Sequence, residues 1–498
     1  MELLSLGHSA FRLELAPAGG GPPVRILGDP WLSDYCVGDL MGRFPRLDLD
    51  LARLGPIDAI FLSHSHTDHL DPYSLHALWR ELDPKPALLV PVSLAFLEAT
   101  LAEHLPGVEI VTLRDRERIG FRGVEVEAFF DPLARGTNED DVMVLVVDNG
   151  REVFLNEADA LLPLYEPDVR DLVAGYLAHR ETAVFLTTRN ELAATMGSLS
   201  ATDAADRRRR VAAALQATGE EIEAILAPLD DGSDPLWGNG HLVRLVGGQG
   251  LAWPADIPGD FNGVLFPVRV ADRVRMERDL LGAFDGACDV EEFVPGAVHV
   301  LEGGVLAARR DAPFLRLRDD EADRHYDPEA DLFSPFPAAP LRDEEREEPR
   351  ERILTALSDR FLPWLIGLGA PPIERLLTES GGEYRVRVRY GTTKGHEEID
   401  YRIGFARLGF EPVEPEGEPD EHYWANDLED FFDGRADEFS VFVRRPLGGK
   451  AQRFWHCLGL PYLNQDLVEW KLRLHFERAA AGGTPGEWVR PFYRAIGL

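Results

Sequence analysis

A dense group of metal-binding side chains follows one short apolar segment of this chain. The segment Ile57–Leu62 has the pattern of a buried strand, and His64, His66, Asp68 and His69 follow within a few residues. Imidazole nitrogen and carboxylate oxygen are ligands for both zinc and iron. The close spacing lets His64 and His66 bind one ion while Asp68 and His69 face a neighbouring ion. A dinuclear metal site is the prediction, because a histidine-rich surface turn gains nothing from three imidazoles beside a carboxylate.

The arrangement HxHxDH after a strand resembles the signature of the metallo-β-lactamase superfamily. The chain before it agrees, since a strand pattern at 24–27 runs into the sequence Gly28-Asp29-Pro30-Trp31. The resemblance implies an α/β protein with the αββα sandwich, and short apolar strands alternate with helical segments as far as about Ala307. It also implies that Asp29 holds the metal loop or a ligand imidazole in place. A turn-forming Asp-Pro pair is the alternative interpretation.

The length and composition predict a multidomain globular protein. The chain has 498 residues, of which 45% are hydrophobic, enough for two or three domains with their own cores. We predict a dinuclear metal domain over 1–310, a charged, proline-bearing linker over 311–350, and an α+β accessory domain over 351–498. In the last, Arg385, Arg387 and Arg389 alternate with apolar residues at strand spacing. Their side of the strand either faces solvent or binds an anionic substrate.

Charge and cysteine usage exclude several classes of protein. The chain has 87 acidic against 52 basic residues and a net charge of -35, which argues against nucleic-acid binding, because phosphate affinity needs clustered Lys and Arg. Cys36, Cys288 and Cys457 lie far apart without a CxxC pair, which indicates a reducing compartment and no cysteine-based metal ribbon. No export segment and no apolar run of about 18 residues is present. We therefore expect a cytoplasmic protein that does not bind membranes.

The superfamily resemblance implies further ligands: a later histidine, an aspartate at a strand end, and a last histidine. Asp159 follows a strand pattern that ends at Asn156, and a carboxylate there can bridge two ions. His241, in a loop after another strand pattern, is the predicted last histidine, with His179 and His299 as alternatives.

The expected later histidine is absent, and an acidic loop stands in its place. The segment 131–141 carries Glu139, Asp140 and Asp141 where the familiar zinc hydrolases have an imidazole. A charged oxygen donor makes the site harder, which favours iron over zinc and stabilises higher oxidation states. Glu139 is the predicted ligand and its two neighbours are alternatives. A merely solvated acidic loop is the other interpretation.

Several segments resemble a particular family within this superfamily. The segments 28–32, 62–70 and 154–159, together with a C-terminal part containing 427–432, look like the non-Rieske part of the CMP-N-acetylneuraminate hydroxylase family. The Cys/His spacing of that family's Rieske cluster is absent here, so electrons would come from a separate electron-transfer protein or from the substrate. The acidic loop is also similar to that of amino-acid β-hydroxylases, in which a glutamate replaces the missing histidine at a diiron centre.

Two catalytic functions and one non-catalytic function follow. In the first, two irons held by these ligands activate dioxygen and oxidise a C–H or N–H group of a small molecule. In the second, two zinc or manganese ions activate a hydroxide that attacks an ester, lactone or phosphodiester, and Asp68 helps to orient or deprotonate the water. The third is a metal-stabilised binding module, which needs fewer ligands than this chain offers.

The acidic loop yields a test of metal preference. If Glu139 hardens the site for iron, Glu139→His rebuilds the zinc-hydrolase ligand pattern. The iron-to-zinc ratio of protein grown with equal supplies of both metals should then fall, and oxygen-dependent activity should fall with it. Metal analysis of the purified variant measures this ratio.

The matched control is Asp140→Asn. A solvated acid one residue away contributes only a screened charge, so this variant should keep the original ratio. An unchanged ratio in Glu139→His would remove Glu139 from the site.

Overall fold

The computed structural model describes residues 1–35, 42–43, 46–132, 141–160, 162–164, 166–178, 180–188, 242–247, 251–252, 270–281, 288–317, 349–392, 395–436, 441, 447–450 and 464–485. By its internal contacts the chain divides into two compact units. The first comprises Met1–Ser33, Arg43–Trp253 and Gly259–Ser334, and the second comprises Asp34–Gly42, Pro254–Pro258 and Pro335–Leu498.

The strands of the described residues, numbered along the chain, are β1 Glu2–Gly7, β2 Ala10–Leu15, β3 Val24–Gly28, β4 Gly42–Arg43, β5 Leu47–Leu49, β6 Ala59–Phe61, β7 Ala87–Pro91, β8 Glu109–Leu113, β9 Ile119–Phe121, β10 Val124–Phe130, β11 Met143–Asp148, β12 Glu152–Asn156, β13 Thr182–Thr187, β14 Leu242–Val246, β15 Leu251–Ala252, β16 Cys288–Glu292, β17 Ala297–Glu302, β18 Val305–Asp311, β19 Leu315–Leu317, β20 Glu383–Thr392, β21 Gly395–Gly404, β22 Arg407–Val413 and β23 Glu421–Trp424.

The α-helices of the same residues are α1 Pro72–Glu81, α2 Glu98–His104, α3 Pro167–Leu177, α4 Val270–Leu281, α5 Pro349–Ala356, α6 Leu362–Gly367, α7 Ala370–Glu379, α8 Ala425–Phe432 and α9 Gln465–Ala480. Short 3₁₀ helices lie at Leu51–Arg53 and Val92–Leu97, and a π-helical turn at Leu357–Phe361 joins α5 to α6.

Two large sheets form the first unit. One has the strand order β18-β17-β1-β2-β3-β6-β7-β8 and the other has the order β16-β14-β13-β12-β11-β10-β9. Each sheet has a parallel part. In the first sheet β3, β6 and β7 pair in parallel, and in the second sheet β12, β13 and β14 do so. The carboxyl ends of these parallel strands open onto loops, which is where polar side chains collect.

The two sheets pack face to face, and helices cover the second sheet. One buried cluster draws Phe11 and Ile26 from the first sheet and Leu145 and Phe154 from the second, and the rings of Phe11 and Phe154 lie 5.1 Å apart. The alternate residues of the second sheet pack against α3 and α4 in another cluster. Successive side chains of a strand point to opposite faces of its sheet, so the continuously apolar strands of the second sheet contribute to both clusters. The predicted αββα sandwich is confirmed.

The second unit has an α+β core of its own. Its sheet has the order β22-β21-β20-β23, and the helical segment that begins with α5 packs on it through Leu357, Phe361 and Leu365. The strand spacing predicted for Arg385, Arg387 and Arg389 corresponds to β20. The last helix, α9, begins at an N-cap, where the Asn464 side chain accepts a hydrogen bond from the backbone of Leu467.

The arginine row of β20 is paired with acids of the neighbouring strand. Arg387 contacts Asp400 at 2.7 Å, and Arg389 contacts Glu398 at 2.7 Å. Arg385 Nη1 lies 3.7 Å from Asp400. These two carboxylates compensate two of the three arginine charges, so the row offers an anionic substrate less charge than its sequence suggests.

Among the described residues no single helix is long and apolar enough to cross a membrane. The helical segments Arg350–Gly367 and Ala370–Glu379 are long and apolar enough only if they are taken together, and the chain bends by 113° between them. Several of its apolar residues are buried in the core of the second unit.

Gly28 gives a test of the packing that supports the metal loop. It lies opposite Phe11 across the β2–β3 pair, and a Cβ at position 28 would overlap the buried Phe11 ring. Gly28→Ala should therefore lower the free energy of unfolding by about 1–3 kcal/mol, the usual cost of overpacking a core. Urea denaturation measures the change.

Gly120→Ala is the control, because Gly120 is also a strand glycine but a Cβ added there would meet no heavy atom within 4 Å. Equal stability of the two variants would contradict the close packing of Phe11 on Gly28.

Candidate metal centre

The loop between β6 and α1 presents the metal-binding motif at the carboxyl end of a parallel strand. Ser63 N–H donates to Asp29 Oδ1 at 2.7 Å, which ties the start of the loop to the end of β3. The loop closes as a turn, because the backbone N–H groups of His69 and Leu70 both donate to the carbonyl of His66. Asp71 is the N-cap of helix α1, and its side chain accepts hydrogen bonds from the backbone N–H groups of Tyr73 and Ser74.

Two groups of possible metal ligands lie at this loop. The first is His64, His69 and Asp159, and the second is His8, Asp68 and His69, with the ligand atoms of each group within 4.8 Å of one another. In the first group, Asp159 Oδ2 is 3.3 Å from His69 Nε2 and 3.8 Å from His64 Nε2. These separations suit donors that converge on an ion rather than on each other.

The polar contacts of the two inner histidines lie at Nδ1 and leave Nε2 of each ring for a metal. His64 Nδ1 lies 2.8 Å from Ser63 Oγ, and His69 Nδ1 lies 3.1 Å from Asp29 Oδ2 in an ion-pair contact and 3.5 Å from Ser63 Oγ. The two Nε2 atoms are buried and make no hydrogen bond within the described part of the chain. A ligand histidine characteristically has a polar partner at its second ring nitrogen. The residues present therefore fit a bound metal ion.

Burial and neighbouring charges shift the pKa values of the two inner histidines in opposite directions. Burial, together with His69 and His66, holds the pKa of His64 well below its usual range. Burial alone would also lower the pKa of His69, but Asp159, Asp68 and Asp29 outweigh it and raise that pKa well above the usual range. The carboxylates thus supply more negative charge than a neutral imidazole balances, a charge that a cation would compensate.

Left-handed backbone is concentrated at this site. Of the five non-glycine residues with positive φ among those described, His8 at 51°, Asp29 at 42° and Ala158 at 46° adjoin or belong to the two donor groups. Such conformations cost free energy and persist where surrounding contacts enforce them. Here they aim His8, Asp29 and Asp159 into the loop.

The structure brings together four of the predicted ligands: His64, Asp68, His69 and Asp159. The ring of His66 lies 4.4 Å from that of His64 but belongs to neither donor group. Glu139 and His241 lie outside the described residues.

The alternative ligands are placed differently. Asp141 is 2% exposed and its Oδ2 accepts from Ser65 Oγ at 3.2 Å, while Asp140 and His179 lie outside the described residues. His299 is buried in β17, where its Nε2 lies 3.1 Å from the backbone oxygen of Glu292, and it joins neither donor group found among the described residues.

Sequence reasoning assigned no role to His8 or Glu157. His8 follows β1 directly and reaches Asp68, and Glu157 is fully buried two residues before Asp159. The sequence contained one indication for His8, a histidine placed directly after a strand-ending glycine. Asp29 makes the two contacts that its predicted role requires, since Oδ1 accepts from the Ser63 N–H and Oδ2 lies 3.1 Å from His69 Nδ1.

Comparison with known proteins agrees with this fold. Residues 24–156 match the family model of the β-lactamase superfamily domain. A protein of Mycolicibacterium smegmatis described as a Rieske 2Fe-2S iron-sulfur protein is 35% identical over 75 residues, which are 15% of this chain and only 13% of that protein.

Two solved structures are similar over larger parts of the chain at low identity. CmlA, a diiron β-hydroxylase from Streptomyces venezuelae, is 18% identical with a TM-score of 0.35, covering 59% of this chain and 53% of its own. The metallo-β-lactamase fold protein YhfI from Bacillus subtilis is 13% identical with a TM-score of 0.28, covering 58% of this chain and 95% of its own.

The two-sheet sandwich with its ligand-bearing loop after β6 is a metallo-β-lactamase fold. The family-model match is confined to residues 24–156, and with the strand order it supports this assignment of the fold. The two donor groups offer side chains that could hold metal ions there.

Asp29→Asn tests whether Asp29 sets the tautomer of the candidate metal ligand His69. An Asn side chain tolerates the left-handed backbone at this position and can still accept from Ser63 N–H, but its amide group would face His69 Nδ1. His69 would then carry its proton on Nε2, the nitrogen needed for the metal. We expect metal affinity to fall by on the order of tenfold or more, as for other lost partners of ligand histidines. Competition with a chromophoric chelator measures it.

Asp58→Asn is the matched control. Asp58 also accepts from a backbone N–H, that of Arg25 at 2.8 Å, in the same sheet. It should cost some stability and leave metal affinity unchanged. Equal affinity of Asp29→Asn and the wild type would show that Asp29 does not set the His69 tautomer.

Proposed function

We propose that this protein is a metal-dependent enzyme and, within that class, a non-haem diiron oxygenase that hydroxylates or otherwise oxidises a small molecule with dioxygen. The observation that carries the proposal is the attachment of the acidic loop to the metal loop. Ser65, between the first two histidines of the motif, donates to the buried Asp141 at 3.2 Å. The backbone N–H of Met143 donates to the carbonyl of Ser63 at 3.1 Å.

The contacts of Asp141, the last residue of the acidic segment, support a role for that segment in the chemistry of the site. Ser93 Oγ adds a third contact, to the Asp141 carbonyl at 3.1 Å. An ionised carboxylate is costly to desolvate, so the burial of Asp141 against the histidine motif favours a functional acidic segment over a merely solvated one.

Carboxylate donors beside the histidines favour iron. Asp159 and Asp68 belong to the described donor groups together with three histidines, and Glu139 is the further carboxylate ligand that the sequence predicts. Carboxylates stabilise higher oxidation states of the metal better than neutral ligands do. Two irons bound here would supply the redox chemistry that activates dioxygen.

The residues of this chain perform the remaining tasks. His64, His69 and Asp159 would hold metal, the two histidines through Nε2, while Ser63 and Asp29 orient the two rings by contacts at Nδ1. Asp68 would hold the second ion and accept a proton at its carboxylate.

The reaction implies a partner that donates electrons. Hydroxylation of a C–H bond places one oxygen atom of dioxygen in the product and releases the other as water, which takes two electrons and two protons. We propose that a separate electron-transfer protein, or the substrate itself, supplies them. The substrate is a small molecule, and we place the protein in the cytoplasm.

A dinuclear zinc or manganese hydrolase is the second candidate, and the three histidines of the donor groups favour it, because imidazole suits zinc. In that case the donor groups would hold two zinc or manganese ions, which would activate water for attack on an ester, lactone or phosphodiester, and Asp68 would orient or deprotonate that water.

Metal content and colour distinguish the two. Protein expressed with equal iron and zinc supplies and purified in air should contain two irons per chain and absorb in the visible as an oxo-bridged pair. Ser65→Ala should lower the iron-to-zinc ratio by about tenfold, because the acidic loop loses its link to the motif.

Ser5→Ala is the control, since Ser5 is a buried serine of β1 whose hydroxyl reaches a backbone oxygen of Phe293. Colourless wild-type protein with two zincs would select the hydrolase. A Ser65→Ala ratio equal to that of Ser5→Ala would remove the acidic loop from the argument.

A further inference from the structure

His8 lies at the end of a central strand in a turn that directs its ring into the metal loop. It follows β1, which lies between β17 and β2 in the middle of the first sheet. Gly7 and His8 both have left-handed backbone, with φ of 81° and 51°. The next residue anchors the turn, because Ser9 Oγ donates to Thr188 Oγ1 at 3.2 Å.

The ring of His8 contacts Asp68 and packs within a small set of rings. Its Nε2 lies 3.0 Å from Asp68 Oδ2. The ring meets Trp31 edge-on with centroids 5.0 Å apart and meets His69 with centroids 5.4 Å apart. His8 is 1% exposed, so its position is fixed by packing as well as by the turn.

The two donor groups cannot both use His69. Both include His69, whose Nδ1 faces Asp29 and whose Nε2 is therefore its one remaining ligand atom. His69 Nε2 can bind an ion held by His64 and Asp159, or an ion held by Asp68, but not both. In either case Asp68 is a main donor for the second ion, so the orientation of its carboxylate affects how tightly that ion would bind.

We propose that His8 is a positioning residue for Asp68: its Nε2–H donates to Asp68 Oδ2 and fixes the rotation of that carboxylate for the second metal ion. A carboxylate has about four lone-pair sites, so this hydrogen bond leaves others for the metal. The proposal deepens the proposed function and rests on the two-metal centre, though not on the choice between iron and zinc.

The other ring nitrogen of His8 distinguishes positioning from direct ligation. His8 Nδ1 is buried and has no hydrogen-bond partner among the described residues. If Nε2 bound a metal, Nδ1 would carry the ring proton, and a buried N–H without an acceptor is costly. His64 and His69, by contrast, each have a partner at Nδ1. With the proton on Nε2, His8 buries only a lone pair at Nδ1.

Two substitutions separate these roles. His8→Gln places an amide N–H donor near the position of Nε2 but removes the imidazole, and His8→Leu removes both. Both variants carry an ordinary side chain on the same left-handed backbone, so strain is matched between them. Each is stripped of metal and titrated with Co²⁺, whose visible absorption reports the ligands of each bound ion.

The expected result is a clear difference between the two variants. His8→Leu should bind the second Co²⁺ about 10–100-fold more weakly, as when other supporting partners of ligands are lost. His8→Gln should keep the wild-type Co²⁺ spectrum and an affinity within about threefold of the wild type, because the donor to Asp68 is retained. Binding of the first Co²⁺ should be unchanged in both.

His299→Gln and His299→Leu are matched controls for burying these side chains in place of a histidine. His299 is fully buried in β17, next to β1, and outside both donor groups. Thermal unfolding of the metal-free proteins reports any general loss of stability, and these controls should bind both Co²⁺ ions as the wild type does.

Two outcomes overturn the proposal. Wild-type affinity for the second ion in His8→Leu would show that Asp68 needs no support from His8. Equal loss in His8→Gln and His8→Leu, with an altered Co²⁺ spectrum, would make His8 a metal ligand. Failure of the proposed function looks different: protein that binds two Co²⁺ normally but contains zinc when isolated contradicts the oxygenase and leaves the role of His8 intact.

Discussion

The carboxylate of Asp29 joins the scaffold to the metal centre. One oxygen accepts the backbone N–H of Ser63 at 2.7 Å and the other lies 3.1 Å from His69 Nδ1. The first contact fixes where the metal loop leaves β6, and the second fixes which nitrogen of His69 is available. Because Asp29 is fully buried, water does not compete for either contact. The parallel pairing of β3 with β6 brings the two strand ends side by side, so the fold itself supplies this arrangement.

Support of the same kind recurs around the centre. Ser63 holds His64, Asp29 holds His69, and His8 reaches Asp68, each through an atom that a metal does not need. Such partners set tautomer and orientation before a metal arrives, which lowers the cost of assembling the site. They follow β6, β3 and β1 of one sheet, so the pairing of these strands is what brings them together.

The second unit shows how local charge can mislead. Three alternating arginines on one strand have the pattern of an anion site, yet Asp400 and Glu398 on β21 pair with them and compensate two of the three charges. Cross-strand ion pairs of this type stabilise a sheet modestly. Much of the charge of the row is therefore used within the sheet.

The class of fold and the central residues of the candidate site could be predicted from local patterns in the sequence. An apolar strand followed by His64, His66, Asp68 and His69 specifies the chemistry locally, because ligands a few residues apart stay together in any compact arrangement of the loop. The strand-ending position of Asp29 and the strand pattern before Asp159 were also readable, since hydrophobic periodicity is a local property. The layered architecture followed from the same alternation.

The residues that reach that loop from distant parts of the chain depend on the tertiary fold. His8 is 60 residues from Asp68 along the chain and 3.0 Å from it in space, and Asp141 reaches Ser65 across 76 residues. The strand-ending glycine before His8 is a local indication of a turn, but it does not show which residue the ring contacts. The proposed role of His8 arises from sheet order: only β2 and β3 separate β1 from β6, and β1, β3 and β6 run in the same direction, so the His8 turn and the metal loop lie at the same edge. Sheet order depends on long-range pairing, and long-range pairing is the information that a single sequence does not state locally.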